Sequence, residues 1–167
     1  MSKFNYPKEL SGTYNKTNMK EVLEGVVTDI DNKVKVPSLT QTCSTKGASG
    51  TQAIPGVSGW TNVTGASGTL ITDGGQLLIF VTCGGFADTA GTVTSWAINI
   101  DGTRYPSDTG VPLVYNVANF HNSLAFNCIV SNLASGSHVV AIQAKINTNV
   151  LYIDANDYFT CNTIELK

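Results

Sequence analysis

Charge is the scarcest commodity in this 167-residue chain. Lys, Arg, Asp and Glu together make up only 13% of it, about half the usual share. Residues 47–167 contain Arg104, Lys145 and Lys167 as their only cations, against seven acidic residues. A protein that neutralises several phosphates needs a basic stripe, so nucleic acid is excluded as a partner. Long apolar runs are also missing. The longest is five residues, Leu77 to Val81, far short of the ~20 that a membrane helix requires. The opening MSKFNYPKEL has no apolar stretch, so no secretory leader and no membrane partner are expected. Histidine occurs twice, at His121 and His138. The four cysteines, Cys43, Cys83, Cys128 and Cys161, form no C-x-x-C pair. A zinc cage of the usual spacing is therefore excluded, and buried free thiols are expected. No G-x-S-x-G or phosphate-loop motif appears. No cofactor, metal or catalytic residue is expected, and the chain reads as a non-enzyme.

What is present is polar, uncharged and turn-rich. Gly, Ser, Thr and Asn account for 64 of the 167 residues. From residue 59 onward, short stretches rich in Val, Ile, Phe, Tyr, Trp and Thr recur between turn residues, with no sustained helical period. Candidate strands are 59–63, 69–72, 76–83, 93–101, 103–105, 113–118, 123–131, 137–146, 150–153 and 158–166. So many strands without intervening helices predict an all-β, antiparallel sandwich. The spacing also predicts tight hairpins at Asp73-Gly74-Gly75 and at Ala134-Ser135-Gly136.

The first 58 residues read differently. Residues 1–16 look like an extended arm. In Asn18–Val34, Asn18 and Glu21 make a capping box, and Met19, Leu23, Val26 and Ile30 fall at the 4-3-4 spacing of a coiled-coil seam. The expected organisation is an anchoring arm and short helix over 1–36, a Ser/Thr/Gly linker over 37–58, and a β-sandwich over 59–167.

In TDGGQLLIFVTCGG, Thr72–Gly85, period-2 alternation puts Leu77, Ile79, Val81 and Cys83 on one strand face. It puts Leu78 and Phe80 on the other. In SLAFNCIV, Leu124, Phe126, Cys128 and Val130 oppose Ala125 and Ile129. Only one face of a sandwich strand points into the core. Leu78, Phe80 and Ile129, with the helix seam, are therefore the expected oligomer interface.

Other segments suggest chemistry only weakly. Tyr105, Tyr115, Asn119, Phe120, His121 and Asn122 combine aromatic faces, amides and an imidazole, and are the candidate ligand-facing loop residues for a glycan. Asp154, Asn156 and Asp157 in IDANDY offer oxygens, but not at the spacing of the helix–loop–helix calcium site. A polar turn is the expected reading there.

Five segments carry a resemblance: WTNVTG at 60–65, DGGQLLIFV at 73–81, WAINIDG at 96–102, LASGSHVVAIQAK at 133–145 and YFTCNTIEL at 158–166. In pattern and spacing the chain resembles the trimeric jelly-roll modules of the tumour-necrosis-factor and C1q type found in bacteriophage surface proteins. The resemblance implies a homotrimer packed on a sandwich face and attached to a virion by its N-terminal region. Other virion proteins, the major capsid protein first among them, are the implied partners. With a short arm and no repetitive shaft, it implies a capsid decoration or head-fibre protein on the virion surface. The other implied role is a receptor-binding fibre tip that recognises host glycan.

Overall fold

The computed structural model describes Glu24, the backbone of residues 39–46 and residues 50–166. The chain divides into two units, Met1–Val36 and Pro37–Lys167, and all the described strands lie in the second. The expected helix, with Met19, Leu23, Val26 and Ile30, lies outside the described residues apart from Glu24.

The strands are β1 (Leu39–Lys46), β2 (Gln52–Pro55), β3 (Thr61–Thr72), β4 (Gly75–Ala87), β5 (Thr92–Ile100), β6 (Thr103–Tyr105), β7 (Val111–Tyr115), β8 (Asn122–Leu133), β9 (Gly136–Ile146), β10 (Val150–Ile153) and β11 (Tyr158–Leu166). They form two antiparallel sheets. One has the order β1-β11-β4-β10-β2, with β8 on the other side of β4. The other has the order β3-β9-β5-β6, with β7 also paired to β5. This is the jelly-roll arrangement of an all-β sandwich. β1 and β2 fall within the segment read as a linker, where Thr- and Ser-rich composition hid their pairing with β11 and β10.

Two turns differ from expectation. Thr72 and Gly75 end strands of opposite sheets, so Asp73-Gly74 makes a corner across the sandwich and not a hairpin. Ala134-Ser135 is likewise a corner, from β8 to β9. The two corners pack on each other: a Cβ on Gly74 (φ 96°) would lie 3.0 Å from Ser135 N. Glu165 Oε1 ties the first corner down, accepting from the Thr72 hydroxyl at 2.9 Å and from Asp73 N–H at 3.0 Å. A true tight hairpin does form at Asp101-Gly102 (φ 49° and 93°), between β5 and β6.

The core lies where the alternation placed it. Leu77, Ile79, Val81 and Cys83 of β4 are buried with Cys128 and Val130 of β8, and with Phe159 and Cys161 of β11. Across from them sit Trp96, Ile98 and Ile100 of β5, and Val140, Ile142, Ala144 and Ile146 of β9. Trp96 meets Phe159 between the sheets at 6.1 Å, and its indole N–H donates to Thr94 Oγ1 at 2.9 Å. Cys83 and Cys128 are buried free thiols, and burial pushes the Cys128 pKa up to about 11.

Part of the outer face of β9, at Ala141 and Gln143, has its own cover, while Val139 stays exposed. Arg104 on β6 reaches across β5 to donate to Gln143 Oε1 at 2.8 Å, and Gln143 donates in turn to Asn62 Oδ1 at 2.7 Å. Trp60 stacks beneath the Arg104 guanidinium at 5.4 Å. The apolar excess of this strand is thus partly shielded by its own chain.

His138 joins the β8–β9 corner to the β5–β6 turn. Its Nδ1 lies 2.6 Å from Asp101 Oδ2 and its Nε2 lies 2.9 Å from the Ala134 carbonyl. An acceptor at each nitrogen favours the doubly protonated ring. The Asp101 hydrogen bond, then the Ala134 one, raises the His138 pKa above its ordinary 6.5. Hydrogen bonds from His138 and Val139 N–H lower Asp101 below 3.8. A raised histidine stabilises fully below 6.5, and that contribution is lost as pH rises through its folded value. A lowered aspartate stabilises above 3.8, and its contribution is lost as pH falls through its folded value. The pair's contribution therefore peaks between 3.8 and 6.5. Urea unfolding across pH should show this excess in the wild type and lose it in His138→Gln; identical pH profiles for the two would refute the assignment.

Candidate functional site

The C-terminal half of β4 builds the site. Phe80, Thr82, Gly84 and Phe86 follow at two-residue steps on its outer face. β8 enters along one edge, pairing Asn122 with Gly85 and Ser123 with Gly84. β10 pairs Tyr152 with Phe86 and Leu151 with Ala87, and β11 takes up pairing again at Thr160–Thr82. The turn Asp154–Asp157 lies between these two strands. The glycine pair makes the close approach possible. A Cβ on Gly84 would fall 2.4 Å from Asn122 O, and one on Gly85 would fall 2.6 Å from Tyr152 O.

Two segments that are separate in sequence meet here. Asn119, in the left-handed region (φ 55°), donates its N–H to Ala87 O at 2.7 Å and fixes the loop before β8. That loop delivers His121, whose Nδ1 lies 2.9 Å from Asp157 Oδ1. Its Nε2 lies 3.7 Å from Asp154 Oδ2. The acidic turn is ordered internally: Asp154 N–H donates to Asp157 Oδ2 at 2.9 Å and Asn156 N–H to Asp154 Oδ1 at 2.8 Å. Phe86 packs against the imidazole at 4.7 Å and stacks on Tyr152 at 5.2 Å. A cleft of about 300 Å³ opens beside the cluster, lined by Thr82, Gly84, His121, Asn122, Ser123, Asn156, Asp157 and Tyr158.

Of the six ligand-facing residues expected from sequence, His121 and Asn122 line this cleft. Asn119 shapes its loop, and Phe120 is exposed beside His121. Tyr105 belongs to β6 in the other sheet and packs against the core. Tyr115 is a correction. It is fully buried, and desolvation raises its phenol pKa. Its strand ends at that residue with the side chain turned inward, a parity that was not legible without the β5 register. Four aspartates are engaged in ion-pair or hydrogen-bond contacts: Asp157 and Asp154 with His121, Asp101 with His138, and Asp108 with Arg104 at 3.7 Å.

A second feature lies further along the same outer face of β4. Cross-strand rows Thr160–Thr82–Ala125, Asn162–Phe80–Asn127 and Ile164–Leu78–Ile129 run over β11, β4 and β8. None of these nine residues is charged. Phe80 is 40% exposed, Ile129 is 57% exposed and Leu78 is half-buried.

No protein-family model matches the chain, and no curated protein matches it. Solved structures similar to it include Eiger TNF from S. frugiperda, at 10% identity over 80% of this chain and 94% of that one, with a TM-score of 0.44. Infectious bursal disease virus Gx strain is 14% identical over 78% of this chain and 32% of that one, with a TM-score of 0.45. Exo-β-1,3-galactanase from Phanerochaete chrysosporium is 16% identical over 77% and 30%, with a TM-score of 0.31. The chain spans about a third of the viral and galactanase chains. With TM-scores below 0.5, these likenesses assign this chain no role.

Gly84→Ala should destabilise the sandwich by about 1–3 kcal/mol, because the clash is with backbone and cannot be relieved by a rotamer change. Chemical denaturation measures it; an unchanged midpoint would show that the β8 entry is not held where described.

Proposed function

We propose that this chain is a non-enzymatic structural protein of a bacteriophage particle. It forms a homotrimer through the outer face of β11, β4 and β8. The observation that carries this reading is the uncharged face with Phe80 and Ile129 open to solvent. Charge depletion around aromatic and aliphatic anchors is the composition of an interface core. A contact of about 800 Å² per partner is the usual size for a stable complex. On the opposite sheet Arg104 and Trp60 cover part of the outer face, while Ile71, Val93, Val114 and Val139 are exposed there. The place on a virion, as a capsid decoration or head-fibre protein anchored through residues 1–36 to other virion proteins, rests on the sequence resemblance.

A second reading, a glycan-binding fibre tip, draws on the cleft. Tyr158 is exposed there, Asn122 and Asn156 supply amides, and Phe120 is exposed next to the cleft residue His121 in the chain. Saturable binding on a glycan array, lost in Phe120→Ala, would favour it over attachment to capsids alone.

Light scattering should give three times the 17.7 kDa chain mass. Phe80→Asp combined with Ile129→Lys should reduce it to one. Deleting residues 1–36 should leave the trimer intact but abolish attachment to empty shells. A monomeric wild type would remove the trimer, and full attachment after truncation would remove the anchor.

A further inference from the structure

We propose that His121 and Asp154 bind a divalent first-row transition-metal ion such as Zn²⁺, with Asp157 as the residue that orients the imidazole. Asp157 is 5% exposed and accepts from both sides, from Asp154 N–H through Oδ2 and from His121 through Oδ1. An ionised carboxylate only accepts, so a His121 ring bonded to it donates from Nδ1, and the tautomer with its single proton there presents a lone pair at Nε2. That nitrogen is 3.7 Å from Asp154 Oδ2. The gap is too long for a hydrogen bond. It suits two ligands of a single ion, each bonded at about 2.0–2.2 Å. Asp154 Oδ1 is occupied by Asn156 N–H, which leaves Oδ2 for the ion.

The ring nitrogen that does not bind metal donates to a buried carboxylate, which is how proteins fix a metal-binding histidine. The Phe86–Tyr152 stack holds the same ring from the side. Donor atoms of His121, Asp154 and Asp157 all lie within 4.8 Å of one another. Charge favours a cation here as well. Two carboxylates meet one imidazole, while Arg104 is committed to Asp108 and Gln143 in the other sheet. One imidazole with carboxylate selects zinc-like ions over calcium, which takes six to eight oxygens. The cleft beside the pair leaves coordination positions for water or a ligand oxygen.

The site lies outside the three rows assigned to self-association, so it stands whether or not the trimer does. Chelator-treated full-length protein is titrated with ZnSO₄ by calorimetry, and the histidine ring signals are followed by NMR. One ion per chain is expected, with His121 signals moving and those of His138 unmoved. His121→Ala should abolish binding, and Asp157→Asn should weaken it by roughly 10–100-fold. Absence of saturable uptake, uptake unchanged in His121→Ala, or a His121 ring insensitive to zinc would overturn the site. If a variant loses its melting transition, the wild-type ring signals decide.

Discussion

The sandwich depends on burial of one face of each sheet against the other. β3 to β4, and β8 to β9, run from one sheet to the opposite one, so neither connection builds local pairing. What holds these crossings is the layer between them, where Trp96 meets Phe159 and the inward rows of β4 and β9 interlock. Side chains of this size remove enough apolar surface from water to offset the ordering of long-range connections. The corners need only be compatible with that layer, and Gly74 and Glu165 make the first one so.

β4 is the strand through which this core reaches the surface. Its inward row fills the sandwich, while its outward row runs from Leu78 and Phe80 to Gly84 and Phe86. One end of that row is apolar and uncharged, as suits contact with another copy. The other end loses its side chain at Gly84, and the missing volume lets the β8 entry close over the sheet.

Sparse charge gives each charged contact a definite place. Among the described residues, His138–Asp101 links two turns, Arg104–Asp108 accompanies the cover over β5, and His121 meets Asp154 and Asp157 beside the cleft. Of these, the exposed Arg104–Asp108 pair contributes little to stability alone. Their value is positional, since each joins segments at least 33 residues apart or pins a long side chain over a sheet.

Alternation determined much of this protein by itself. Leu77, Ile79, Val81 and Cys83 had to share a buried face, and Phe80 and Ile129 had to lie outside it, because side chains in a strand alternate whatever the partner. Composition likewise dictated an all-β body. Tertiary structure alone decided which strands are neighbours: Asp73-Gly74 reads as a hairpin until the sheets are known, and β1 carries too little hydrophobic signal to stand out. It also turned Tyr115 inward and brought His121 to Asp157 across 36 residues. Local patterns fix which way a side chain faces. Contacts between distant segments depend on register and sheet order, which only the packed whole selects.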